Sequence, residues 1–401
     1  MKKRLELLAP AGDLEKLKVA VLYGADAVFV GGKKLSLRAK ASNFTIEMIK
    51  EACDFAHKHG SKVYITVNIL PHEEDMVDVE EYLKALDDAG VDAIIVSSMA
   101  IVSVAKKIGV SFELHLSTQQ STVNLEAIDF YKDLGFKRVV LGRENTLKEI
   151  EEIKKNTDMP LEVFIHGGMC SSYSGRCSLS NHMTRRDANR GGCAHSCRWN
   201  YKLYENDTPL EIDGHMFKIG SKDLMSFRVL PKLIDLGIDS FKIEGRMKSL
   251  HYIATIVKAY REFIDGYLNG ENVEELVIKA TNEAKKAENR DSSVGFFEGQ
   301  VTQEGGLYFD GAEIPPQDFI GIIKGYDKDK KMAILEQRNY FKLPQSFELI
   351  QPKGETKVFT LNEVYDEEGN VIIEAKHAMQ SIYLPIDEVK EYSILRKKSL
   401  W

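Results

Sequence analysis

The chain has 401 residues, 43% of them hydrophobic, with five cysteines and a formal net charge of −7. This is a globular composition long enough for two domains, and it excludes collagen-like and low-complexity chains. The acidic balance speaks against an indiscriminate nucleic-acid binder, and no apolar run approaches the roughly 18–20 residues needed to span a bilayer. Met1-Lys2-Lys3-Arg4 opens the chain with positive charge, but Glu6 and Pro10 interrupt the apolar stretch that follows. A secretory signal is therefore not expected, and the reading is a cytoplasmic protein with reduced thiols and no membrane partner.

In chain order, β-rich runs fall at Leu5–Leu8, Ala27–Val30, Val63–Val67, Ala93–Val96, Glu113–Leu116, Arg138–Leu141, Glu162–Ile165 and Phe241–Glu244. Most are apolar on both faces, as parallel strands covered by helices should be. Amphipathic helical runs lie between them. Asp13 is placed to cap the first and Thr45 the second, and later runs cover Val79–Ala89, Ala100–Ile108, Leu125–Leu134 and Thr146–Lys155. Eight βα units in about 250 residues predict a TIM-like (β/α)8 barrel, with a doubly wound open sheet as the alternative.

The seventh unit is irregular. Some sixty residues separate its strand from the next helical run at Val229–Leu236, so an insertion over about 166–225 is expected at the C-terminal end of a barrel strand, where such folds build their sites. Helical runs follow from about Leu250 to Leu268 and over Val273–Ala287. From Ser292 the texture becomes short β-runs: Val294–Phe297, Phe319–Tyr326, Met332–Gln337, Phe347–Ile350, Lys357–Leu361, Val371–Ala375 and Ser381–Leu384. The expected domains are a barrel over 1–290 and a small C-terminal β-barrel over 292–401.

Four of the five cysteines, Cys170, Cys177, Cys193 and Cys197, fall in the insertion with spacing C-x6-C-x15-C-x3-C. Their neighbours are Gly, Ser, Arg and Asn, a poor setting for a core, whereas Cys53 sits in an apolar helical run and reads as core. Clustered reduced thiols suit a metal or an iron–sulfur cluster. Zinc favours shorter knuckles than most of these spacings, and four thiolates on a long loop fit a cubane cluster better. His166, His182 and His195 are candidate outer groups. From His166 to Asn200 the chain carries Arg176, Arg185, Arg186, Arg190 and Arg198 against one acid, Asp187, a local field that attracts phosphate or carboxylate.

At the strand ends, Arg143 and Arg246 are candidates to clamp an acidic ligand, and Glu144 and Glu244 to orient them or move protons. A salt-bridged rim is the competing reading. No G-x-S-x-G elbow, H-E-x-x-H helix, phosphate loop or dinucleotide fingerprint occurs.

The segments Leu7-Leu8-Ala9-Pro10-Ala11-Gly12, Tyr23-Gly24-Ala25-Asp26-Ala27-Val28, Tyr173-Ser174-Gly175-Arg176-Cys177, Arg186-Asp187-Ala188-Asn189-Arg190-Gly191, Cys197-Arg198-Trp199, Ser221-Lys222-Asp223-Leu224 and Ile243-Glu244-Gly245-Arg246-Met247-Lys248-Ser249 resemble the collagenase-like peptidase family U32. Within it the chain is most similar to the bacterial tRNA hydroxylation proteins. That resemblance implies oxygen-independent formation of 5-hydroxyuridine at the wobble position, with a prephenate-like dicarboxylate as hydroxyl donor. Related hydroxylation proteins of ubiquinone synthesis carry a 4Fe-4S cluster, which makes Cys170, Cys177, Cys193 and Cys197 the implied ligands. Some relatives place a cysteine directly after Ser-Lys-Asp-Leu, where this chain has Met225.

On this reading the insertion arginines meet tRNA phosphates and a single uridine enters the pocket. Tyr173 or Trp199 stacks on it, and Arg143 and Arg246 hold the dicarboxylate, with His166 a further candidate in the chemistry. A paralogous family member is a candidate partner, and Arg396-Lys397-Lys398 is a candidate RNA patch in the C-terminal domain. A peptidase, with a cysteine nucleophile paired to His166, and a non-catalytic RNA-binding subunit are the alternatives.

Overall fold

The computed structural model describes residues 5–37, 43–210, 217–302 and 318–398. Two compact units emerge. The first contains the described residues up to 248, except 22–24, and takes up the chain again over 290–302; the second contains 22–24, 249–289 and 318–398.

Eight strands form the first unit: β1 (Glu6–Pro10), β2 (Ala27–Gly31), β3 (Lys62–Val67), β4 (Ala93–Val96), β5 (Glu113–Leu116), β6 (Arg138–Val140), β7 (Leu161–Gly167) and β8 (Ser240–Ile243). Each pairs in parallel with the next, and β8 pairs with both β7 and β1 through Phe241↔Val163 and Leu7↔Phe241. The sheet is thus a closed TIM-like barrel, and the open-sheet alternative is excluded.

Burial explains the closure. Every residue of β2 and β7 is buried, as strands enclosed between a filled interior and an outer helical layer must be. The helices are α1 (Leu14–Leu22), α2 (Ile46–Lys58), α3 (Val79–Asp88), α4 (Met99–Ile108), α5 (Leu125–Asp133) and α6 (Leu147–Asn156). Side-chain caps set the starts of four of them, α1, α2, α5 and α6, while α3 and α4 begin without one. Asp13 accepts the Lys16 N–H at 2.8 Å, Thr45 accepts that of Met48 at 3.2 Å, and Thr146 and Glu149 form a reciprocal capping box. Cys53 is buried in α2 with its thiol pushed up to about 12 by burial, a core residue as its neighbours suggested.

Charge fills part of the barrel interior. Arg138 binds Glu6 and, at 3.1 Å, Glu162; Lys242 donates to Glu162 at 2.9 Å; Ser240 reaches both carboxylates. Lys242 also lies 4.6 Å from the Phe29 ring centroid and 5.3 Å from that of Phe164.

The insertion leaves β7 at Gly167 and returns as a short strand, Asp223–Met225, that runs antiparallel to the end of β7 (Leu224↔Gly167, Met225↔His166). It holds α7 (Leu179–Thr184) and an exposed two-stranded hairpin, Tyr204–Glu205 with Thr208–Pro209. After it come α8 (Leu230–Asp235) and β8. The expected strand at Val294–Phe297 is instead a turn. The strand lies earlier, at Ser292–Ser293, paired with Asp223–Met225, while Phe297 is buried in the first unit and its carbonyl accepts the Leu147 N–H. Apolar packing, not strand pairing, accounts for that run.

In the second unit, α9 (Leu250–Leu268) and α10 (Val273–Lys285) accompany an antiparallel half-barrel. Its strand order is Lys357–Leu361, Gln345–Ile350, Ile394–Lys397, Phe319–Asp327, Met332–Gln337, Ser381–Leu384, Val364–Tyr365 and Val371–Ile372. Ile320, Leu335, Phe347, Ile382 and Leu395 belong to its shared core. The segment Ile394–Lys397 is an inner strand, which takes Arg396 out of the expected basic patch and leaves Lys397 half-buried and Lys398 exposed. Arg396 is fully buried and donates to Glu348 and Glu283 at 2.7 Å, and Lys397 donates to Asp318.

Candidate active site

The C-terminal ends of the barrel strands and the insertion above them enclose a cavity of about 290 Å³. Phe29, Thr66, Ile95, Phe164 and Lys242 reach it from the strands, and Cys170, Cys177, Cys193 and Cys197 all line it from the insertion. The sequence placed these sulfurs on one loop; the fold brings them to one space. None is in a disulfide.

Local bonds hold the cysteine-bearing turns. Asn189 donates to the Cys177 carbonyl at 3.0 Å and Arg186 to that of Cys193 at 3.3 Å. Ser180 accepts the Ala194 N–H at 3.0 Å, and Tyr201 donates to the Ser196 carbonyl beside Cys197 at 2.6 Å. Cys170 is open to the cavity yet surrounded by protein, which raises its thiol. Arg143 opposes that rise, while the nearby Cys177 and Cys197 add to it. Cys170 is therefore within electrostatic reach of two of the other three sulfurs.

Among the described residues, no three His, Cys, Asp or Glu side chains are grouped closely enough to hold a single metal ion. A tetrahedral zinc site, with Zn–S near 2.3 Å, requires such a group. Four unpaired thiols facing a shared, cation-lined space fit a cluster as a donor set.

The lining is strongly positive. Arg143, Arg198, Lys242, Arg246, Lys248 and Arg290 meet one carboxylate, Glu244. Asp223 offsets part of this from outside the lining, pairing with Arg290 at 3.0 Å and lying 3.6 Å from Arg198. Arg143 packs over the Phe164 ring at 4.0 Å and donates to the Gly168 carbonyl at 2.6 Å. Arg246 is buried and held by Ser36 and Thr66 at 2.8 Å and Asn43 at 3.1 Å. It passes so close to Gly31 that a Cβ there would lie 2.4 Å from its Nη2. Glu244 directly follows β8, its N–H donating to the His166 carbonyl at 2.8 Å.

Two other candidates lie elsewhere. Glu144 is not in the cavity lining; its carboxylate accepts the backbone N–H and, at 3.2 Å, the hydroxyl of Ser174. His166 is buried outside the lining, and burial lowers it to about 3, with Asp223 opposing and Lys248 assisting that shift. It is neutral at physiological pH.

The arginines divide. Arg185, at the end of α7, and Arg176, whose N–H donates to the Tyr173 carbonyl, are both exposed. Arg186 is engaged at the Cys193 carbonyl. Arg190 pairs with Asp75 at 2.6 Å and Glu74 at 2.9 Å, tying the insertion to the segment after β3. Arg198 donates to the Met169 carbonyl at 3.1 Å. Tyr173 and Trp199 are exposed, and Tyr173 also lines the cavity. Met225 is buried beside β7 and does not line it.

Sequence reasoning missed Lys242, Lys248, Arg290 and the Ser36–Thr66–Asn43 cradle. A lysine amid Phe241 and Ile243 was the available signal, since a charge inside a buried strand needs a partner or a ligand.

A (β/α)8 barrel with a thiol- and cation-lined cavity at its C-terminal mouth defines the class of protein. Residues 12–306 match the model of peptidase family U32 and residues 315–396 that of the peptidase family U32 C-terminal domain; the chain belongs to this family. It is 47% identical, over 96% of its length and 93% of the relative's, to tRNA hydroxylation protein P1 of Bacillus subtilis. It is 39% identical to the 23S rRNA 5-hydroxycytidine C2501 synthase of Escherichia coli, over 66% of this chain and 40% of that one. To a protein of Porphyromonas gingivalis named collagenase it is 35% identical over 74% of each. No helix among the described residues is long and apolar enough to cross a membrane.

Proposed function

We propose that this chain is a cytoplasmic tRNA-modifying enzyme that hydroxylates wobble uridine to 5-hydroxyuridine without molecular oxygen. The observation that carries the reading is the convergence of four free thiols and six cationic side chains on one cavity at the barrel mouth. The names of its relatives support RNA hydroxylation.

A 4Fe-4S cluster held by Cys170, Cys177, Cys193 and Cys197 would supply one-electron redox chemistry in this cavity. Arg143, Lys242 and Arg246 offer fixed positive charge to the carboxylates of a small, prephenate-like hydroxyl donor. Phe29 and Phe164 supply apolar surface for the rest of it. Among the described residues Glu244 is the one lining carboxylate, and it is the candidate to accept or hold a proton. Exposed Arg185 meets RNA phosphates, and the target uridine leaves its stack to enter the cavity. A paralogous family member is a candidate partner in this reaction.

The test is mass spectrometry of tRNA nucleosides from a strain lacking this chain and any second family member. Expression of the wild-type chain should restore 5-hydroxyuridine and its derivatives, whereas Cys170→Ala should not. Unchanged nucleosides in the deletion strain overturn the reading.

A further inference from the structure

Tyr173 combines two properties that seldom coincide. Its side chain is 68% exposed, yet the backbone beneath it is fastened from several sides. Ser174, the next residue, is buried, and its N–H and hydroxyl both donate to the Glu144 carboxylate. The Ser121 hydroxyl donates to the Ser174 carbonyl, and the Ser174 hydroxyl accepts the Arg143 N–H at 3.4 Å. Gly175 has φ 74° and lies so close to Gln119 that a Cβ would sit 2.0 Å from that residue's carbonyl oxygen. Only glycine fits there. The turn closes with the Arg176 N–H donating to the Tyr173 carbonyl at 3.0 Å.

Gln119 and Ser121 follow β5, and Arg143 and Glu144 follow β6. The ends of two barrel strands therefore fix the turn, while the exposed ring lines the same cavity as Cys170 and Cys177. Exposing an aromatic ring contributes nothing to folding. A ring carried on a fastened backbone is a partly preorganised binding surface, because only its own two side-chain torsions remain to be fixed when a ligand packs on it. The ligand must offer a flat face and suit a cationic cavity. A single-stranded RNA loop offers both unstacked bases and phosphates; a duplex keeps its base faces stacked.

We propose that Tyr173 is a stacking platform for a base of a single-stranded RNA loop beside the nucleotide that enters the cavity, and that Glu144 and Gly175 are positioning residues for it. This rests on the tRNA reading above and assigns Glu144 to holding the platform.

The test uses the full chain and two fluorescent probes, an RNA hairpin with a uridine-containing loop and the blunt duplex of the same stem, titrated by anisotropy at fixed salt. Tyr173→Ala should weaken hairpin binding about tenfold or more and leave the duplex unchanged. Tyr173→Phe should bind as wild type, since the ring and not the hydroxyl does the stacking. Glu144→Ala should also weaken the hairpin, and adding it to Tyr173→Ala should cost little more, as for residues acting through one element. An unaltered hairpin affinity in Tyr173→Ala, or equal losses on both probes, overturns the platform; 5-hydroxyuridine formation by wild type then leaves the tRNA reading standing. Absence of both RNA binding and modification by wild type overturns both. Loss of collagen-peptide hydrolysis in Tyr173→Ala, with RNA binding intact, assigns the ring to a protein substrate and overturns the proposal.

Discussion

Lys242 and Glu162 meet at 2.9 Å on adjacent strands inside the barrel, the ammonium 5% exposed and the carboxylate fully buried. Burial alone would raise Glu162, but Lys242 and Arg138 hold it to about 2. This pair links the fold's interior to the floor of the cavity, because Lys242 lines both.

Removing one partner of this pair should destabilise the protein strongly. Glu162→Gln leaves an ammonium buried without its counter-charge, and a loss of about 3–5 kcal/mol is expected in urea unfolding. The pH dependence follows from the depressed carboxyl. Its contribution is complete above the ordinary value of 4.5 and is lost as pH falls toward about 2. The acid sensitivity of wild type should therefore be reduced over that window in Glu162→Gln.

Arg185 and Arg190 should separate in their salt behaviour. Arg185 is exposed, so Arg185→Ala should weaken RNA binding and lower the slope of log K against log salt by about 1. Arg190 is already neutralised by Asp75 and Glu74. Arg190→Ala should leave that slope unchanged and speed limited proteolysis of the insertion.

Gly31→Ala should act through Arg246. A methyl 2.4 Å from Nη2 must push the guanidinium off Ser36, Thr66 and Asn43. RNA hydroxylation should fall at least about tenfold, and adding Gly31→Ala to Arg246→Ala should change little further. Independent, additive losses would show that Gly31 acts otherwise.

Iron content tests the cysteines one by one. Protein prepared without oxygen should contain about four irons per chain and absorb in the visible. Alanine at Cys170, Cys177, Cys193 or Cys197 should remove most of both signals, while Cys53→Ala should retain them.

Arg396 gives a test in the second unit. Arg396→Leu strips the cation from Glu348 and Glu283, and a loss of about 3–5 kcal/mol is expected by analogy with other broken buried pairs. A mere RNA contact would leave stability unaltered and change only affinity.

Much of this architecture was readable in the chain because burial repeats with a period. The runs around Val28, Ile65, Ile94 and Phe241 are apolar on both faces and could only be enclosed strands. Asp13, Thr45 and Thr146 announced helix starts through their chemistry. The cysteines were legible as a group by residue type, but their common cavity was not, since spacing along a loop says nothing about its path. Charge misled where it was buried. Arg396 read as a surface cation, and its true setting depends on Glu348, distant in sequence. Lys242 was hidden for the same reason, because its partner Glu162 lies 80 positions away. Glu144 was legible as polar at a strand end, but not as the anchor of Ser174.

The excursion that begins after Gly167 ends by laying Leu224 back against that same glycine. Departure and return share one seam, so residues can be added to or removed from the span between them without shifting the register of any neighbouring strand. The scaffold below and the cap above can accordingly change length separately, provided the ties at Asp75, Gln119 and Glu144 are kept.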